Sequence, residues 1–405
     1  MAGSVYPYKL KSGARKWGFA LDLPERWDEA KGRHVRQQLR REGFKRQLDA
    51  QRALEEEQHG VTVGTAASLA DRRLTVSQWA DRWLASRAKI RPTTRYAYAH
   101  VLSQYVKPGI GHHVLAEVRA DHIDAMLGQI RAGKIRPQTN RRRPDGRLAE
   151  SAVKQIYVIT AAMFAGAVKK RIIPHTPCVG IEFAETEDHA PLTWGPAEVA
   201  RFLAHAEAEE PRLAIGFRIA LSFGLRRGEA AGLRWSDVDL ASGMLHVRQQ
   251  MVAVGSELTT GPPKSKAGLR SVPLSLDSEF PAALREHQQR QQFDAVVAED
   301  WTETGLILAM PNGKPVPLWR LSARFRELVT AAGLPPLSLH GARHTANSLW
   351  NAAGVPTFER QSWLGHSSPA MTDATYLHLR PEQHERAAAQ VAAYQRANGV
   401  SSGPR

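Results

Sequence analysis

His366 stands ten residues before Tyr376, in the run Leu364-Gly365-His366-Ser367-Ser368. Upstream lie a His340-x-x-Arg343 quartet and a Gly224-Leu225-Arg226-x-x-Glu229 segment. Together they place cations around a tyrosine hydroxyl. Such a set suits holding a phosphodiester while a phenolic oxygen attacks it, because the crowded transition state carries more negative charge than the ground state. Arg226 and Arg343 are suited to grip the non-bridging oxygens, since guanidinium offers planar paired donors and stays charged at any working pH. A phenol with an ordinary pKa of ~10 is a poor nucleophile at neutral pH until nearby cations or a base favour the phenolate. His340 and His366 can donate hydrogen bonds to the phosphate or move protons near pH 7. The substrate these groups point to is DNA.

The same residues have blander readings. A lone tyrosine in a helix is most often packing, and a helix-end arginine is most often solvated, which is how Arg227 is read. His340 and His344 stand at i, i+4, a zinc-ligand spacing on a helix, so a metal-dependent hydrolase stays open. Against it, Gly341 occupies the place where a zinc-protease motif has its glutamate, and Arg343 lies between the two rings. The reading adopted has no metal and no cofactor.

A chain of 405 residues exceeds what one hydrophobic core organises, so two or three domains are expected. The formal net charge of +15 calls for an anionic partner, and a nucleic-acid backbone is the commonest one for a soluble basic chain. The amino-terminal residues are polar and basic, without a signal peptide's apolar stretch. The most apolar run, residues 156 to 168, is shorter than the ~20 needed to span a bilayer and reads as a buried helix. With Cys178 as the only cysteine there is no intrachain disulfide and no cysteine-based zinc cluster. A cytoplasmic protein without membrane contact is the expectation.

These site residues must be positioned by elements. Residues 5 to 23 alternate around a Ser12-Gly13 turn and read as a hairpin, with residues 33 to 38 a candidate third strand and residues 45 to 59 a helix. Lys9, Lys11, Arg15, Lys16, Arg40 and Arg41 stud this small module, which suits a compact DNA reader. Residues 60 to 71 read as a linker. Val76, Trp79, Ala80, Trp83 and Leu84 then share one helical face, and residues 96 to 105, 121 to 130 and 151 to 170 continue an all-helical bundle. Residues 131 to 147 hold seven Lys/Arg against one Asp, a basic loop in which Arg141, Arg142 and Arg143 are candidate DNA contacts and a solvated insertion is the rival. A second boundary falls at residues 183 to 192. Helices over 198 to 208 and 213 to 223 then precede extended segments over 244 to 254 and 263 to 274, read as a small antiparallel sheet. A further helix over 318 to 332 stops at Gly333 and Pro335.

The motifs Gly224-Leu225-Arg226-Arg227-Gly228-Glu229, Pro263-Lys264-Ser265-Lys266, His340-Gly341-Ala342-Arg343-His344-Thr345, Leu364-Gly365-His366 and Tyr376-Leu377-His378 resemble, in order, those of the tyrosine recombinase family of phage integrases. The resemblance implies a multidomain fold: a small α+β arm-binding module at residues 1–62, an all-α core-binding domain at 72–183, a mixed α/β, mostly helical catalytic domain at 190–385, and a carboxyl-terminal helix and tail at 386–405. It implies that Tyr376 attacks a DNA phosphate to leave a 3'-phosphotyrosyl link and a free 5'-hydroxyl. Lys264 matches the family's hairpin lysine, a general acid for the leaving oxygen, with Lys266 as its rival on the same strand pattern. Glu229 is expected to support the site. Phe223 stands where the family has a small residue or threonine. The implied partners are double-stranded attachment sites, four copies of the chain on DNA, an excisionase and a host DNA-bending protein. The same phosphotyrosyl chemistry also serves type IB topoisomerases, and a DNA-binding regulator on a retired scaffold is the non-enzymatic alternative.

Overall fold

The computed structural model describes residues 3–10, 12–28, 32–62, 73–135, 147–184 and 191–365. Its contacts divide the chain into two compact units, Met1–Glu187 and Asp188–Arg405.

The first unit opens with strands β1 (Gly3–Lys9), β2 (Arg15–Asp28) and β3 (Arg33–Phe44), an antiparallel sheet in the order β1-β2-β3, followed by helix α1 (Gln47–Thr62). The candidate third strand is present and runs on to Phe44. Its polar sequence masks it because only one face is covered: Leu39 is buried with Phe19, Leu21 and Leu54, and its neighbours on the strand are exposed. Register sets Lys9 opposite Arg15 and Tyr8 opposite Lys16, gathering three cations at the hairpin end. Like charges directly opposite each other are unfavourable, so this end gains from an anion. Arg40 instead donates to Gln38, and Arg41 lies 3.7 Å from Glu57. Lys11 falls outside the described residues.

A separate core belongs to helices α2 (Val76–Ala85), α3 (Pro92–Val101), α4 (Lys107–Ile110), α5 (Ala120–Arg131) and α6 (Glu150–Lys169). Thr75 caps α2 reciprocally with Gln78, which fixes where the linker ends and the bundle begins. The expected helix over 96 to 105 is longer and irregular: α3 passes through a π-turn, Leu102–Val106, into α4. Pro108 has no N–H to offer one turn back, and the Lys107 N–H reaches the Leu102 carbonyl five residues away instead. α6 is 20 residues long, enough by length and composition to cross a bilayer, and extends past both ends of the apolar run. It buries Val153, Ile156, Ile159, Met163 and Phe164 in the bundle core. Of the basic loop, Arg131 is a structural cation, paired to Glu150 at 2.6 Å and stacked over Phe183. Arg141, Arg142 and Arg143 lie outside the described residues.

The second unit comprises helices α7 (Pro196–Glu209), α8 (Pro211–Phe223) and α9 (Arg227–Ala231), strands β4 (Val238–Asp239), β5 (Met244–Val247), β6 (Gln250–Val254), β7 (Glu257–Gly261) and β8 (Arg270–Pro273), and helices α10 (Phe280–Val297), α11 (Leu318–Ala331), α12 (Leu339–Ala352) and α13 (Thr357–Leu364). The extended region resolves into two antiparallel pieces, a β4-β5-β8 sheet and a β6-β7 hairpin. Phe223 is fully buried at the end of α8, edge-on to Phe280 with ring centres 4.8 Å apart, so it serves the core. α8 is buried over most of its length among the helices that carry the candidate site, and Phe202, Phe217 and Phe325 pack against one another to fix α7, α8 and α11.

Candidate active site

Three of the motifs named from sequence meet where two helices stop. α8 ends at Gly224 (φ 62°) and α13 at Gly365 (φ 66°), both left-handed turns that glycine makes at least cost. Neither position has room for a side chain. A Cβ on Gly224 would stand 3.0 Å from Leu364 and 3.1 Å from Trp350, and one on Gly365 would stand 2.5 Å from the Ala267 carbonyl. Arg343, on the first turn of α12 and 4% exposed, ties these ends together. Its Nη1 donates to the Gly224 carbonyl at 2.8 Å and its Nη2 to the Leu364 carbonyl.

Arg226 caps the short helix α9. Glu229, one turn on, accepts from the Arg226 backbone N–H at 2.9 Å and from its guanidinium at 2.8 Å. The Arg226 Nη2 also reaches the Gly365 carbonyl at 3.5 Å. Glu229 is 1% exposed and takes a second cation, the Arg270 Nη2 at 2.8 Å. Arg270 is the residue that motif reading passes over. Its side chain is 3% exposed, and its remaining donors bond the Trp363 and Gly268 carbonyls. It therefore joins β8 to the end of α13 and to Glu229 at once.

Arg226, Arg270 and Arg343 thus share one neighbourhood with, among the described residues, a single carboxylate, Glu229, set against them. Burial and the Arg226 and Arg270 charges push the Arg343 guanidinium down to about 9. Burial alone would raise Glu229. The Arg270 hydrogen bond and charge, with those of Arg226, outweigh it and hold the carboxyl at about 2. Such a cluster is short of negative charge, and a phosphodiester would supply it. His340, on the same first turn of α12, keeps an accessible edge. Its pKa is lowered, first by the part of the ring withdrawn from water and then by Arg343, Arg226 and Arg227. His344 meets it edge to face, ring centres 5.1 Å apart, and its pKa is lowered by burial and then by His340 and Arg343.

Glu229 makes a stability prediction with a definite sign. Its carboxyl sits near 2 in the fold against 4.5 ordinarily, so its contribution is full above pH 4.5 and is lost as pH falls toward 2. The gap corresponds to about 3 kcal/mol. Glu229→Gln should lower wild-type stability at pH 7 by about that amount and flatten the dependence between those limits, as read from denaturant unfolding at a series of pH values. An unchanged acid limb in the variant would contradict the assignment.

The structure therefore brings Arg226, Glu229, His340 and Arg343 together. Lys264 and Lys266 are exposed and, contrary to the strand pattern, occupy the loop between β7 and β8, with Lys266 opening a short 3-10 turn, Lys266–Gly268. Pro262 and Pro263 have no N–H to extend the β7 ladder, which ends at Gly261. His366 and Tyr376, like the carboxyl-terminal segment 386–405, lie outside the described residues. The chain leads into His366 from Gly365, whose carbonyl already faces Arg226. Lys9, Arg15 and Lys16 belong to the amino-terminal hairpin of the first unit.

Residues 195–383 match the phage integrase family. Through that domain the chain is similar to the tyrosine recombinases. It is 29% identical over 232 residues to a tyrosine recombinase XerC-like protein of Caldanaerobacter subterraneus subsp. tengcongensis, a match covering 54% of this chain and 57% of that one. The chain thus spans little more than half the length of this relative. Its fold is similar to the Tn1549 transposon integrase solved with a circular intermediate DNA, at a TM-score of 0.64 and 18% identity, covering 78% of this chain and 99% of that one. It is also similar to a lambda integrase tetramer bound to a Holliday junction, at a TM-score of 0.55 and 18% identity, covering 91% and 94%. At these identities the structural likeness establishes a shared mixed helical fold with small sheets.

Proposed function

We propose that this chain is a site-specific DNA recombinase of the integrase type, which joins a mobile element's attachment site to a host's through a covalent protein–DNA intermediate. The observation that carries the reading is the under-neutralised guanidinium cluster lying at the residue before His366, within a phage integrase domain.

Arg226 and Arg343 hold the non-bridging oxygens of the scissile phosphate. The charge that grows on those oxygens during attack is met by donors already fixed in place, so little reorganisation is needed at the moment of reaction. As the Tyr376 phenol gives its proton to solvent or to a site histidine, its Oη forms a bond to phosphorus while the bond to the 5'-oxygen breaks, and Lys264 delivers a proton to that leaving oxygen. His340 donates to the phosphate from its accessible edge, and His366 is a second donor to it. Attack by the 5'-hydroxyl of a partner duplex on the phosphotyrosyl ester reverses the step and restores the phenol. Both bonds exchanged are phosphodiester-type, so the backbone bond energy is conserved.

In this function the sheet and α1 act as an arm-type DNA reader through Lys9, Lys11, Arg15 and Lys16, and the helical bundle as a core-site clamp with Arg141, Arg142 and Arg143 in its basic loop. Residues 1–62, 72–183, 190–385 and 386–405 are the corresponding bounds. Strand exchange between two duplexes calls for four active sites, and a tetramer is the form in which the lambda integrase neighbour was solved on a Holliday junction.

Incubating two differently labelled duplexes that carry the element and host junction sequences tests the proposal. Chimeric products are expected. Relaxation of supercoils without chimeras would make the chain a topoisomerase of the same chemistry, and binding without any adduct would make it a regulator.

A further inference from the structure

One exposed aromatic has no role in the site described above. Trp319, in the first turn of α11, is 71% exposed. An indole left in water loses the burial that normally holds it in a fold, which marks such a residue as a contact waiting for a partner. Its position is informative. Ser322, three residues on and so on the neighbouring part of the helix surface, accepts from the Arg227 Nη1 at 2.9 Å. Arg227 adjoins Arg226 in the chain and its charge acts on His340. α11 is thus attached by a side-chain hydrogen bond to the motif that holds the phosphate.

The surface around the indole has the chemistry of a nucleic-acid contact. Arg320 and Arg326 on the same helix, and Arg227 bonded to Ser322, are exposed, and Glu327 is engaged by Arg324 at 3.1 Å. Ser322 and Ala323 between Trp319 and Arg326 leave only small side chains at the centre of the stripe. A duplex, an anionic backbone alternating with base edges, fits small residues flanked by cations and a planar ring.

We infer that Trp319 is a DNA-contact residue flanking the scissile phosphate, its indole packing on the sugar and base edge of duplex DNA while Arg320 and Arg326 take neighbouring phosphates. This rests on the proposed recombinase function and extends the DNA surface along α11. Arg227 then has two tasks, bracing α11 against α9 and adding positive potential between the two contacts.

The test is equilibrium binding of the full chain to a fluorescein-labelled duplex of random sequence, with salt titration. Trp319→Ala should raise Kd about tenfold and Trp319→Phe should recover most of that loss. Arg320→Ala should reduce the slope of log Kd against log salt by about one. Phe293→Ala, an equally exposed aromatic on α10, should leave Kd unchanged. Melting curves of the variants establish that each is folded. Trp319→Ala binding within about twofold of wild type overturns the inference, as does a variant that binds normally but loses self-association, which would assign the face to a second copy of the chain. Failure of the wild-type chain to bind any duplex would instead remove the recombinase reading itself.

Discussion

Replacing Arg343 by methionine should reduce DNA cleavage by roughly 10²–10³-fold while changing folding stability by no more than about 2 kcal/mol. The two halves of that expectation come from opposed effects. Methionine keeps the apolar stem and removes the guanidinium, leaving the Gly224 and Leu364 carbonyls without their donors. Each buried acceptor so stranded costs about 1–3 kcal/mol. Against this stands the expense of burying a guanidinium and then of keeping it beside Arg226 and Arg270, an expense visible in a group pushed down to about 9 from 12.5. That displacement is worth about 5 kcal/mol of opposing electrostatics, comparable to the two hydrogen bonds together. The near-balance means that stability gives little reason for an arginine here and phosphate binding gives a strong one. Single-turnover cleavage on a nicked duplex and denaturant unfolding measure the two quantities separately. Cleavage lost only in proportion to the folded fraction would return Arg343 to a purely structural role.

Tyr376→Phe is expected to have the largest effect on chemistry and the smallest on everything else. The substitution keeps the ring and removes the one oxygen that would be esterified. Covalent protein–DNA adducts on a nicked duplex should vanish, with duplex affinity within about twofold of wild type. The variant therefore separates binding from chemistry more cleanly than any change to the guanidinium cluster, whose members hold protein carbonyls and would hold the phosphate as well. Adducts that persist in the variant would place the nucleophile elsewhere.

Much of this site was legible because its parts are local. The spacing from Arg226 to Glu229 is one helical turn, so the motif itself forms the hydrogen bonds that orient the arginine. His340 and Arg343 likewise fall within one turn of α12, which puts both at its first turn. Arg270 was not legible in the same way, since its partner Glu229 lies 41 residues earlier. The signal available was phase: Arg270 falls in step with the buried Val272 and Leu274, and an arginine on the inward phase of a strand demands a buried anion. Lys264 and Lys266 were assigned to a strand because the flanking residues favour one, and the prolines before them prevented it. β3 was foreseen at half its length for the converse reason, since only one face is covered and polar residues dominate its sequence. The π-turn before α4 shows a proline acting on the turn that precedes it.

The central claim is that the phenolic oxygen of Tyr376 becomes esterified to a 3'-phosphate of DNA. Mass spectrometry of the peptides released from wild-type protein, after trapping on a nicked duplex and exhaustive nuclease digestion, tests it most directly. The account predicts a nucleotide 3'-phosphate attached to the peptide containing Tyr376, at that side chain. Attachment at another residue, linkage through a 5'-phosphate, or strand breakage with no attached peptide would contradict it.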